Sequence, residues 1–119
     1  MTVLTSGSKF VTNVSALANT SDTDCYVVPS NFSSHIEHVM ISNNDTGNHT
    51  YTLKYRDASA ATTHTLQTTH TISSKSSVSV FTVDKPLYVN AGDKIIVAAT
   101  TADTLTVVVT AEEFYEPNR

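Results

Sequence analysis

Five histidines, one cysteine and eleven carboxylates are the side chains of this 119-residue sequence that could do chemistry. A metal or acid–base site needs several of them on one face, and their spacing works against this. Residues three apart on a strand point to opposite sides, so His35 and His38 are expected to diverge. His64 and His70 share a face, but six residues at about 3.3 Å each separate them by on the order of 20 Å. His64 has the parity of Leu66 and Ile72, which predicts partial burial with a hydrogen bond. Solvated or singly hydrogen-bonded histidines are the expectation; a site completed at a subunit interface, with bound metal, is the sharper alternative.

Cys25 stands alone, which excludes an internal disulfide and any cysteine-rich metal site. Its setting, Asp24-Cys25-Tyr26-Val27, has no nearby cation to stabilise a thiolate, so it reads as a small buried hydrophobe. Paired carboxylates for glycoside hydrolysis must face each other across roughly 5 to 9.5 Å. Asp22 and Asp24 lie beside a strand start, while Glu112, Glu113 and Glu116 form a cluster expected to be a solvated acidic end or a patch for docking onto a basic partner surface. No Gly-rich phosphate loop, GxSxG elbow, HExxH or EF-hand spacing occurs. Neither catalytic residues, a cofactor nor a resident metal is expected, and the chain does not read as an enzyme. Asn-x-Ser/Thr recurs at Asn13, Asn19, Asn31, Asn44 and Asn48, as a Ser/Thr-rich composition produces by chance.

The elements that must carry these residues are strands. Runs of Val, Ile, Thr and Tyr alternate with polar residues at a period of two. Strands are predicted near 10–17, 24–29, 34–43, 49–57, 62–72, 76–83, 87–90, 94–100 and 104–115, and no helix. Short strands at this density predict an all-β fold, an antiparallel β-sandwich of jelly-roll or immunoglobulin-like type with about eight strands. The expected organisation is an arm over 1–8, the sandwich over 9–115 and a tail over 116–119. With three Gly in the chain, turns are written in Asn and Asp, as in Asn43-Asn44-Asp45-Thr46-Gly47-Asn48, Asp57-Ala58-Ser59-Ala60 and Thr101-Ala102-Asp103-Thr104. Parity places Tyr51, Leu53, Tyr55, Val78, Val80, Leu105, Val107 and Val109 inward. Ile95 and Val97 oppose Ile96 and Ala98, so that strand is apolar on both faces and something is expected to cover it from outside.

Charged residues make up 15% of the chain against roughly 25% in an average soluble domain, whereas Ser and Thr number 34. The net charge is −4 and the seven Lys and Arg are scattered, which disfavours nucleic acid as a partner. Apolar runs such as Val107-Val108-Val109 are only a few residues long and fall far short of the roughly 20 residues of a helical membrane span. Met1 to Phe10 lacks the pattern of a secretory signal, so synthesis in a cytoplasm is expected. The stretch Ala60 to Ser74 carries no formal charge, and an edge strand so little protected would be sticky. Hydroxyl-rich faces lose less on desolvation than charged ones, which points to a subunit covered by copies of itself or by other chains. A carbohydrate-binding or adhesin module is a different reading of the same sandwich. It needs exposed rings, for which Tyr26 and Tyr88 are the candidates.

Two segments stand out, Ile36-Glu37-His38-Val39-Met40-Ile41-Ser42-Asn43-Asn44 followed after a turn by Tyr51-Thr52-Leu53-Lys54-Tyr55, and Val83-Asp84-Lys85-Pro86-Leu87-Tyr88-Val89-Asn90-Ala91-Gly92-Asp93-Lys94-Ile95-Ile96-Val97. Together they resemble small β-sandwich virion structural proteins of tailed bacteriophages, the second being similar to their "pleLyLnaGDkI-v" element. The resemblance spans about residues 26 to 115 and leaves the Ser/Thr stretch 59–77 unaligned. It implies a non-enzymatic subunit, a head decoration or cement protein on the outer surface of the virion or a neck, tail or baseplate component. Its partners would be copies of itself, a trimer being one candidate order, and other virion proteins such as the major capsid protein. In the GD pair, Gly92 is expected to permit a tight turn and Asp93 to accept backbone N–H bonds where the next strand begins. Lattice contacts are expected from the two ends, Met1, Thr2, Val3 and Leu4 in the arm and Glu112, Glu113, Phe114 and Tyr115 near the tail.

Overall fold

The computed structural model describes residues 7–82 and 84–116. Nine strands follow in chain order: β1 Ser8–Ala16, β2 Thr23–Val27, β3 Phe32–Asn43, β4 His49–Asp57, β5 Thr62–Ile72, β6 Ser76–Phe81, β7 Leu87–Asn90, β8 Lys94–Ala99 and β9 Leu105–Tyr115. They form two antiparallel sheets, one ordered β1-β9-β3-β6 with β7 also on β3, the other β2-β8-β4-β5. The pairings are nested: β1 with β9, β2 with β8, β3 with β6 and β7, and β4 with β5. Nesting of this kind is a long hairpin rolled up on itself, so the jelly-roll alternative is the one adopted, with β6 and β7 sharing one strand's place. The stretch 59–77, where strand order was open, supplies β5 at the edge beside β4 and the start of β6 on β3.

The core follows the alternation. On β9, Leu105, Val107, Val109 and Ala111 are buried while Thr106, Val108 and Thr110 face out. They meet Ile36, Val39 and Ile41 of β3, Tyr51 and Leu53 of β4, and Ile95 and Val97 of β8, all fully buried. Each such side chain contributes about 1.5–3 kcal/mol. Ile96, on the outer side of β8, is only 7% exposed in the isolated chain. The register sets it between Lys54 and Asp24, and the Lys54–Asp22 and Lys94–Asp24 ion pairs, at 2.9 and 3.0 Å, lie on the same face. Aliphatic stems beneath charged heads can shield such a residue, so no outer layer is needed to cover β8.

Polar side chains fix the turns. Asn43 is fully buried; its Nδ2 donates to the carbonyls of Gly47, Ile72 and Ser73, and its Oδ1 accepts from Asp45 N. One amide thus holds both the β3–β4 turn and the β5–β6 connection. Asp93 accepts from Asn90 N and Ala58 N, each at 2.9 Å, and from the Tyr55 hydroxyl at 2.6 Å. Gly92 precedes it at φ 85°, where an added Cβ would stand 3.0 Å from Ala58 Cβ. The expected roles of both residues hold.

Bulges are what parity missed. Glu37 is an extra residue in β3 opposite β9, so Ile36 and Val39 both point inward while His35 and His38 both lie on the outer face, not on opposite faces. In β5 two register shifts separate Leu66 and Thr69 from the regular ladder with β4. Leu66 turns out at 45% exposure, and His64, expected to be partly buried, is exposed with its Nε2 3.1 Å from Thr62 Oγ1. An extra residue opposite β8 likewise sends both Cys25 and Tyr26 inward.

Candidate functional site

The outer face of the β1-β9-β3 sheet gathers the chemistry-bearing and apolar side chains. Register aligns Phe10 of β1, Glu112 of β9, His35 of β3 and Tyr88 of β7 in one row. Phe10 is 67% exposed and Tyr88 73%, and Val14 and Phe114, at 66% and 36%, lie on the same face. The His35 ring stacks on Tyr88 at 4.6 Å between centroids. Its Nδ1 is 4.0 Å from Glu37 Oε1, and Ser8 Oγ donates to Glu112 Oε2 at 2.5 Å. Beside this row an open hollow of about 420 Å³ is lined by Phe10, Glu37, His38, Thr82 and Thr110.

Directly beneath, Ser34 of β3 faces Glu113 of β9 on the inner side. The Tyr26 hydroxyl donates to Glu113 Oε2 at 2.5 Å and lies 2.7 Å from Ser34 Oγ. Lys9 Nζ stands 3.8 Å from Glu113. Burial, reinforced by the adjacent carboxylate, raises the Tyr26 phenol well above its ordinary range. This is a closed structural network joining the two sheets.

The residues expected to make contacts therefore separate. Met1, Thr2, Val3 and Leu4 lie outside the described residues. Glu113 is 4% exposed, so it belongs neither to a solvated acidic end nor to a docking patch; alternation on β9 turns it inward. Glu112 is half-buried, Tyr115 packs on Phe32 at 5.3 Å, and Phe114 points to solvent. Tyr26, a ring required by the carbohydrate reading, is 3% exposed and leaves Tyr88 without that companion.

Nucleophilic chemistry finds little support in this geometry. The Cys25 thiol is buried and pushed up to about 11, chiefly by desolvation. His38 Nε2 lies 2.8 Å from Ser79 Oγ, but no carboxylate among the described residues orients the other ring nitrogen, as a working dyad requires. Sequence reasoning did not single out Glu37 or the His35–Glu37–Glu112 grouping. The available signal was Ile36 and Val39, two apolar residues three apart in a period-two strand, which marks a bulge.

No family model matches the sequence, and no curated protein matches it. Among solved structures, the chain is similar to one from the Bacillus endospore appendages, described as a novel family of disulfide-linked pili. The TM-score is 0.56 at 14% identity, over 94% of this chain and 89% of that one. It also aligns with a chain of the virus-like particle of the extra small virus of the prawn Macrobrachium rosenbergii, at TM-score 0.47 and 15% identity over 100% and 84% of the two chains. A third alignment, to the Clostridium thermocellum xylanase 10B CBM22-1–GH10 modules, has TM-score 0.38 at 10% identity and spans 95% of this chain and 27% of the other. The first likeness speaks for the fold alone, an all-β sandwich.

Proposed function

We propose that this chain is a non-enzymatic structural subunit of a virion that works in a homo-oligomer, most specifically a capsid decoration or cement protein of a tailed phage. The observation that carries this reading is the contrast between the two outer faces. One sheet presents Phe10, Val14, Tyr88 and Phe114 to solvent, whereas the other exposes Val27 and Leu66 singly and carries the Lys54–Asp22 and Lys94–Asp24 pairs. Apolar side chains grouped on one face mark a surface that is covered in use. The long β5 edge adds an uncharged strand whose only blunting devices are its two bulges.

A similar sandwich in the spore appendages supports the general part of this reading, a structural rather than catalytic role. The disulfide linkage of those pili has no counterpart in the described chemistry here, since Cys25 is buried; contacts between copies would be non-covalent. A cement protein spans seams of the major capsid lattice and gains from several simultaneous attachments. The acidic balance favours the outer surface over one facing packaged DNA. Labelling the protein in purified particles tests the assignment: regular, saturable copies on the head exterior are expected. A location at the neck or tail would select the accessory-component alternative, and absence from particles would overturn the virion reading.

A further inference from the structure

The β3 bulge has brought together three donors of mixed type. One ligand atom each from His35, Glu37 and Glu112 lies within 4.8 Å of the others, and all three residues are half-buried. Two carboxylates this close repel unless a positive charge lies between them. Among the described residues no lysine or arginine pairs with either; Glu112 is met by the neutral Ser8 hydroxyl. The imidazole of His35 makes no hydrogen bond among the described residues, and its Nε2 is buried without a partner. The ring nitrogen that faces Glu37 is Nδ1, which is therefore the atom placed to ligate an ion between the two carboxylates. Stacking on Tyr88 holds the ring plane.

We infer that His35, Glu37 and Glu112 form a binding site for a divalent transition cation, with zinc the best chemical match. One imidazole nitrogen and two carboxylate oxygens suit zinc, whereas magnesium and calcium favour all-oxygen shells. The two negative charges neutralise the ion. Bonds of about 2.0–2.2 Å need donors roughly 3–3.5 Å apart, which rotation of the two flexible glutamates supplies. The site ties the bulge of β3 to β9 beside the exposed Phe10. Three protein ligands leave a coordination position open to water or to a donor from a second copy.

The test uses the full chain stripped with chelator and titrated with zinc chloride by calorimetry. One zinc per chain is expected, with a rise in melting temperature that magnesium does not produce. Glu37→Gln and Glu112→Gln, both isosteric, should each weaken binding about tenfold or more while leaving the far-ultraviolet dichroism unchanged. Absent binding, or binding unaltered in both variants and hence due to other histidines, overturns the proposal. Cobalt(II) added to the unsubstituted protein gives an independent reading: intense visible bands of a low-coordinate site are expected, and a spectrum like the hydrated ion contradicts it.

Discussion

The Cys25 thiol sits at 2% exposure with its Sγ donating to Thr23 O at 3.5 Å. With burial pushing it up to about 11, both access and thiolate fraction are low at neutral pH. An aromatic disulfide reagent should therefore leave the native protein unlabelled for hours and take up one equivalent on denaturation; labelling within minutes in buffer would contradict the burial. Residue roles that depend on local chain geometry were legible beforehand. Asp93 after Gly92 reads as a carboxylate closing its own turn, and it does so. Glu113 was not, because its role depends on Tyr26 and Ser34, 87 and 79 positions away in the chain, and no local signal marks an acid that another strand's hydroxyl will satisfy.

At the level of elements, alternation placed all nine strands within a few residues of their observed bounds, because half-buried strands must repeat every second residue. It failed where an extra residue interrupts the ladder. Glu37 in β3, Cys25 in β2 and Leu66 in β5 each shift every side chain beyond them relative to a strict period, and this is why His35, His38 and Leu66 were misplaced. Deletions separate the two situations. Removing Glu37 leaves Ile36 and Val39 two apart and inward, so cooperative unfolding should persist with a loss of about 1–2 kcal/mol or less. Removing Met40 turns the fully buried Ile41 and Asn43 outward, and that variant should not fold. Chemical denaturation monitored by circular dichroism decides it; equal stability of the two deletions would show that Glu37 is not a bulge.

For the whole molecule, the central feature is an asymmetric sandwich, with four exposed apolar side chains grouped on the β1-β9-β3 outer face and two ion pairs on the other. Low charge was visible in composition, and an assembled subunit was the inference drawn from it. Which face would be covered was not visible, because Phe10, Val14, Tyr88 and Phe114 come from three strands, β1, β7 and β9, that only the rolled topology brings onto one sheet, with β3 between β9 and β7. Lattice contact through residues 1–4 stands as a proposal, while Glu113 is withdrawn from that surface and Phe114 remains on it. The most direct measurement is the mass of the purified protein by light scattering across a concentration series, beside a Phe10→Asp/Val14→Asp variant. A discrete multiple of the 12.8 kDa chain is expected, falling to a single chain in the variant with its dichroism intact. A strictly monomeric unsubstituted protein up to its solubility limit would contradict it.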